Sequence, residues 1–226
     1  VQTCALPISV AWDKAAFGID CFEIVDVSAR VLARALATPG HYTAKVDPLA
    51  QGAKAALHAH GFYYCDTLIE PWCTRERLIA HARDGVSFAD NPPLDAVLDI
   101  CRNAFLHGRF HRDFNLDPQR ADARYANWLR ELHAAGQVFG LYLDGALAGF
   151  IAHAGGRLVL HAMAAEFRGR GLARFFWSRV CAHLFTRGHA EISSSISFVN
   201  IAVINLYSTL GFRFRAPVDV YHRVVA

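Results

Sequence analysis

The chain has 226 residues, 54% apolar and 19% charged, enough to bury a sizeable core and too hydrophobic for a disordered segment. Its net charge of +3 is too weak a field for a general nucleic-acid or membrane-surface binder, and no run approaches the ~20 apolar residues of a membrane span. The basic residues are unusual in kind, twenty Arg against three Lys, and Arg is the better fork for phosphate oxygens.

Residues 1–9 resemble the translation of a sequencing adapter. They lack the regions of a secretory signal and are set aside together with Cys4, so the native start need not be Val1. Pattern begins at Trp12-Asp13. Residues 21–27 read as a strand, Ser28 as the N-cap of a helix to Leu36, and Pro39-Gly40 as its end. A short extended piece to Val46-Asp47 leads into a helix over 48–60, stopped by Gly61, and a strand over 62–69. This alternation predicts a smaller α/β domain over residues 10–90.

Pro92-Pro93 precedes a helix to Leu106, and residues 107–118 form a polar loop carrying aromatics and cations. Helix returns over 118–135 with Tyr125, Trp128, Leu129 and Leu132 on one stripe. Residues 138–143 and 146–152 flank Asp144-Gly145, which suits a tight hairpin turn. A strand over 157–164, a helix over 171–186, a strand near 191–195, a helix over 201–210 and a final extended stretch complete the chain. The order predicts a mixed sheet with flanking helices over residues 91–226.

Six Cys stand at 4, 21, 65, 73, 101 and 181 with no Cys-x-x-Cys pair, so neither a zinc site nor a disulfide scaffold is expected, and reduced cytosol is. His107 and His111 are four apart, but Gly108 lies between them and no further ligand set accompanies them. No metal is expected.

The decisive stretch is a strand that runs into Arg168-Gly169-Arg170-Gly171-Leu172-Ala173 and directly into a helix. Glycines let the backbone approach an anion closely, and the helix start offers unpaired N–H groups and a positive dipole end. A diphosphate would fit; the alternative is an Arg-rich helix start after a tight turn. The loop is neither a Walker loop nor a full Gly-x-Gly-x-x-Gly fingerprint. Asn200-x6-Tyr207-x3-Gly211-Phe212 follows one strand later.

In this order and spacing the two motifs resemble the GNAT superfamily of acyl-CoA-dependent N-acetyltransferases, over roughly residues 100–215. Val203 departs from the Ala usual there. Trp12-Asp13-x3-Phe17-Gly18, Gly61-Phe62-x3-Asp66-Thr67, Gly108-Arg109-Phe110 and Tyr125-x2-Trp128 are similar to the dTDP-fucosamine acetyltransferases, which acetylate a dTDP-linked 4-amino-4,6-dideoxy sugar for surface polysaccharide.

The resemblance implies an α/β GNAT fold, with a mixed, splayed central sheet and flanking helices, preceded by a smaller α/β N-terminal domain. It implies acetyl-CoA as co-substrate, a nucleotide-sugar acceptor, a cytoplasmic enzyme, no nucleic acid and no membrane insertion; it leaves a homodimer open. Met163 and Ala165 would hold pantetheine, with the Met163 N–H as oxyanion donor. N–H groups of Arg168, Gly169, Arg170, Gly171, Leu172 and Ala173 would hold the pyrophosphate, and Asn200 the pantetheine arm. The Tyr207 phenol would protonate the departing thiolate; the alternative is a helix Tyr packing its ring. His161 is the candidate base, on the same strand face as Met163; the other reading is a partly buried strand histidine. Arg109, Phe110, Arg112, Tyr125 and Trp128 are the candidate acceptor contacts, the last two being core residues on the other reading. Two other functions stay open, a GNAT acting on a protein N-terminus, small amine or antibiotic, and a non-catalytic acyl-CoA-binding module.

Overall fold

The computed structural model describes residues 7–102 and 104–226. In chain order its elements are β1 (Ile8–Ser9), α1 (Ala11–Phe17), β2 (Cys21–Ile24), α2 (Ala29–Ala35), β3 (Gly40–Val46), α3 (Gln51–Ala59), β4 (Tyr63–Thr74), β5 (Val86–Asp90) and α4 (Leu94–Cys101). There follow α5 (Pro118–Ala134), β6 (Val138–Leu143), β7 (Ala146–Ala154), β8 (Arg157–Met163), α6 (Ala173–Thr186), β9 (Glu191–Ser194), β10 (Ile196–Ser197), α7 (Ile201–Thr209) and β11 (Arg213–Val225). Two units divide them, each discontinuous in sequence. The first holds the described residues up to Leu68 with Leu106–Arg124 and Pro217–Ala226; the second holds Ile69–Phe105 and Tyr125–Ala216.

The first unit orders its strands β1-β2-β3-β11. Pairing of β2 with β3 is parallel, and β3 runs antiparallel to β11 from Val46↔Asp219 to Gly40↔Val225. Helix α2 buries Val31, Leu32 and Ala35, and Leu32 and Ala35 join Ile24, Tyr42, Leu57, Phe62 and Tyr221 in one core. The Tyr42 hydroxyl is satisfied there by the Ala35 and Thr38 carbonyls, at 2.7 and 2.8 Å. A second core joins Phe17, Cys21, Phe110, Leu116 and Ala121. Within the adapter-like stretch, Ile8 and Ser9 pair with Glu23 and Phe22; residues 1–6 lie outside the described residues.

The second unit orders its strands β4-β9-β8-β7-β6-β5, antiparallel except for β8 and β9. Asp144 and Gly145, at φ 49° and 83°, make the predicted hairpin turn between β6 and β7. On β7 the side chains alternate: Ile151 packs with Phe176, Trp177, Val180 and Leu184 of α6, whereas Phe150 and Ala152 pack with Val97 of α4 and Leu129 and Leu132 of α5. The sheet thus lies between two helical layers. Among the described residues no helix is long and apolar enough to cross a membrane.

Several element bounds differ from expectation for local reasons. Strand β4 continues past Ile69 to Thr74, where Trp72, Cys73 and Thr74 pair with Ser193, Ile192 and Glu191 of β9. Helix α3 starts at Gln51, not Pro48, because the Asp47 carboxylate accepts the Leu49 N–H at 2.8 Å and holds a turn. Edge strand β5 and helix α1 have only five and seven residues, too few to show a period.

Candidate active site

Strands β8 and β9 pair only at Arg157↔Ser193 and Leu158↔Ser194 and part beyond that. The Ala164 N–H donates to the Ala148 carbonyl at 2.9 Å on the β7 side. Successive residues of an antiparallel strand turn their polar groups to opposite edges. Met163 and His161, one and three residues before Ala164, therefore direct their backbone N–H and C=O groups to the unpaired edge of β8. In keeping with this, the Met163 carbonyl accepts the Arg168 Nε–H at 2.8 Å.

The loop between β8 and α6 begins with a 3-10 turn, Ala165–Phe167. Gly169 and Gly171 follow at φ 70° and 66°, and a Cβ on either would meet no atom within 4 Å. The backbone conformation requires glycine, and the space in front of it is open. Arg168 and Arg170 are exposed. Leu172 occupies the N-cap position of α6 with no side-chain cap, and Ala173 is the first helical residue, so the first N–H groups of α6 carry no capping side chain.

Tyr207 is fully buried on α7, its ring 4.8 Å from that of Phe212. Its hydroxyl lies 3.1 Å from His161 Nε2. Burial pushes the phenol above its ordinary value, and pushes the imidazole down to about 4. At neutral pH both groups are therefore uncharged. His161 is a weak base there and serves better as a hydrogen-bond partner. If its Nε2 carries the hydrogen, the imidazole donates to the Tyr207 oxygen and the phenol hydrogen is left for another acceptor. Asn200 caps α7, its side chain accepting the Val203 N–H at 3.3 Å, so any contact with a ligand shares that side chain with the cap.

The candidate acceptor residues fall in different surroundings. Arg109, Phe110 and Arg112 lie in the first unit. Phe110 is 1% exposed, in the core with Phe17. Arg109 is part-buried over the Phe110 ring, at 4.5 Å, and its Nε has no hydrogen-bond partner among the described residues. Arg112 donates to Asp66 at 2.8 Å. Tyr125 and Trp128 belong to the second unit and pack against its α4/α5 core, Tyr125 stacking on Phe105 at 4.6 Å.

Sequence reasoning passed over one buried constellation, His41, Asp113 and His222, whose donor atoms lie within 4.8 Å of one another. They come from positions 72 and 109 residues apart, a separation with no spacing signal to find. Of the aromatics in the 107–118 loop, Phe114 is 80% exposed with its ring 4.9 Å from that of Tyr63.

Comparison with known proteins bears on both units. A GCN5-related N-acetyltransferase from Sphaerobacter thermophilus superposes with TM-score 0.62 at 13% identity, covering 83% of this chain and 61% of that one. A GCN5-related glucosamine N-acetyltransferase region of a fungal multi-domain β-N-acetylglucosaminidase gives TM-score 0.58 at 13% identity, over 81% of this chain and 25% of that one. The present chain thus spans under two thirds of both. These likenesses bear out the expected fold, a mixed, splayed sheet with flanking helices and a preceding α/β subdomain. An acetyltransferase of Yersinia enterocolitica is 28% identical over 109 residues, 48% of this chain and 77% of the relative. The model of the acetyltransferase (GNAT) family matches residues 97–212. That match takes in just over half of the chain, including the parting strand β8, the glycine loop and the Tyr207 helix, and the chain belongs to the acetyltransferase (GNAT) family.

Proposed function

We propose that this N-acetyltransferase transfers acetyl from acetyl-CoA to the amine of a dTDP-linked amino-deoxy sugar, the acceptor class its short N-terminal motifs resemble. Acetyl-CoA supplies an activated thioester. The unpaired edge of β8 is the place for its pantetheine, at Met163 and Ala165, and Asn200 adds a side-chain contact to that arm. The open glycine loop from Arg168 to Ala173 takes the diphosphate on backbone N–H groups at the start of α6. The Met163 N–H, directed into the gap beyond Leu158, faces the carbonyl oxygen on which charge develops, and Tyr207 delivers a proton to the leaving sulfur. The reference values for phenol and thiol differ by about 1.5 units, about 2 kcal/mol uphill, and burial widens the gap. Proton delivery is therefore coupled to loss of the amine's own proton, which leaves by way of water because His161 is too weak a base to hold it.

The observation that carries the acceptor reading is the Arg109–Arg112 loop, with two guanidinium groups three residues apart and a buried Arg109 Nε without a partner. Such a donor is satisfied by an anionic oxygen from outside the chain. The fold also accommodates an amino-sugar acceptor, as the name of the fungal region indicates. The test is thiol release from acetyl-CoA with dTDP-4-amino-4,6-dideoxygalactose, against glucosamine, peptides with free N-termini and an aminoglycoside. Turnover confined to the dTDP sugar is expected, and preference for a peptide or free amine would remove the reading. Arg109→Ala should weaken acceptor binding by about 1.5–3 kcal/mol, the scale of a charged hydrogen bond, and leave acetyl-CoA binding intact by calorimetry.

For the cofactor half, Gly171→Val forces a β-branched residue to φ 66°, which costs roughly 1–2 kcal/mol in place. The loop is expected to rearrange instead, raising the acetyl-CoA KM about tenfold, equivalent to ~1.4 kcal/mol, with little change in Tm. An unaltered KM in the folded variant would place the diphosphate elsewhere.

A further inference from the structure

Asp113 is 2% exposed, a buried carboxylate directly after Arg112 in the 106–117 loop and outside the proposed reaction chemistry. Its Oδ2 accepts from His222 Nδ1 at 2.7 Å and lies 3.3 Å from His41 Nε2. Its Oδ1 accepts the Tyr63 hydroxyl at 2.8 Å and the Asn115 N–H at 2.9 Å. His222 and His41 stand on β11 and β3 and Tyr63 is the first residue of β4, all three within the first unit, so one loop residue is held from three strands. Burial alone would raise this carboxyl, yet the hydrogen bonds from His222, His41 and the Asn115 N–H outweigh it and hold the group below the usual carboxylate range.

The same three residues have the dimensions of a cation site, but one feature argues against that use. A metal-bound histidine ordinarily donates its second ring N–H to a partner, and His222 Nε2 has none among the described residues. With Nδ1–H donating to Asp113, Nε2 of the neutral ring is a lone pair and not a second N–H donor.

We infer that Asp113 is a positioning residue, a carboxylate clasp that fixes the 106–117 loop on the first unit so that Arg109 and Arg112 meet the acceptor in one arrangement. This rests on the acceptor reading given above. Loops of this kind are mobile unless tied down. Here the ties are the clasp, the Arg112–Asp66 pair at 2.8 Å and the burial of Phe110 and Leu116 on either side. Preorganised guanidinium groups bind without the cost of ordering them at each encounter.

Asp113→Asn keeps the volume but replaces one acceptor oxygen by an amide that donates, facing groups that themselves donate. Hydrogen exchange of peptides over 106–117, read with steady-state kinetics on acetyl-CoA and dTDP-4-amino-4,6-dideoxygalactose, tests the clasp. The variant should exchange at least about tenfold faster in that loop, raise the acceptor KM about tenfold (~1.4 kcal/mol) and keep the acetyl-CoA KM within about twofold. Tyr63→Phe removes a single hydroxyl and should show the same pattern at smaller amplitude, which keeps the test open should Asp113→Asn not fold. A merely structural role would lower Tm and speed exchange throughout the unit without splitting the two KM values. Unchanged loop exchange in a folded variant, faster exchange with an unaltered acceptor KM, or stoichiometric zinc in the purified wild type would each overturn the clasp. Failure of the acceptor reading is distinguishable: wild type would then turn over no dTDP-amino sugar, while loop exchange in the two variants still decides whether Asp113 holds the loop.

Discussion

Tyr207→Phe is expected to lower kcat by about 10²–10⁴-fold, the usual weight of a general acid, with little change in the acetyl-CoA KM. The substitution keeps the ring against Phe212 and deletes only the hydroxyl placed 3.1 Å from His161 Nε2. One lost hydrogen bond costs about 1 kcal/mol, a fall in Tm of about 2–4 °C for a chain of this size. The fold should therefore survive while the chemistry does not. A purely structural Tyr gives the opposite pattern, an altered Tm with near-normal turnover. Because burial raises the phenol, proton delivery is demanding, and an acyl donor with a better leaving thiol should partly rescue the variant. Near-normal kcat with ordinary acetyl-CoA, where chemistry limits the rate, would leave water or the amine's own proton as the source.

The second large effect concerns stability. Gly211 ends α7 at φ 83°, and a Cβ there would stand 2.2 Å from the backbone carbonyl oxygen of Arg77. Left-handed backbone costs an L-residue about 1–2 kcal/mol, and a carbonyl cannot swing aside as a side-chain tip can. Arg77 is hard to shift as well, since nearby Ile79 donates its N–H to the Leu210 carbonyl at 3.0 Å. Gly211→Ala should therefore destabilise the protein by roughly 3 kcal/mol or more, combining strain and overpacking. At about 2–4 °C per kcal/mol, Tm should fall on the order of 10 °C. Thermal unfolding followed by circular dichroism checks this, and a shift under about 2 °C would show that the turn absorbs a methyl group. The Gly-Phe pair at the end of the motif thus has a packing reason, because the turn returns Phe212 onto the Tyr207 ring.

The short N-terminal motifs similar to the dTDP-fucosamine enzymes have structural work of their own. Asp13 pairs with Arg124 at 2.5 Å, and the Arg124 guanidinium lies over the rings of Trp12 and Phe110 at 4.1 and 4.2 Å. Phe17 packs on Phe110 at 5.2 Å, and Phe62 is in the neighbouring core. Much of that resemblance therefore reflects how the first unit packs, and Arg109 and Arg112 carry most of what bears on the acceptor.

Local chemistry determined much of this protein from sequence alone. Asp144-Gly145 dictates its hairpin through backbone preference. The apolar period of residues 173–186 marks a helix packed on a sheet, and the strand–glycine–helix order at 157–173 marks a tight glycine turn running into a helix start. Each of these signals lies within about twenty consecutive residues. Contacts between distant residues leave no such period, and tertiary structure alone decided them. The parting of β8 from β9 after Leu158 is a property of two strands together, as is the meeting of His161 with Tyr207 across 46 residues. Phe110 sits in a loop that reads as exposed and is buried, because Phe17 and Leu116 close over it, while Phe114, four residues on, stays out. The Asp113 clasp joins His41, Tyr63 and His222 across separations of 50 to 109 residues. Its members become neighbours only when β3, β4 and β11 are assembled, since a sheet brings together residues that no sequence window contains.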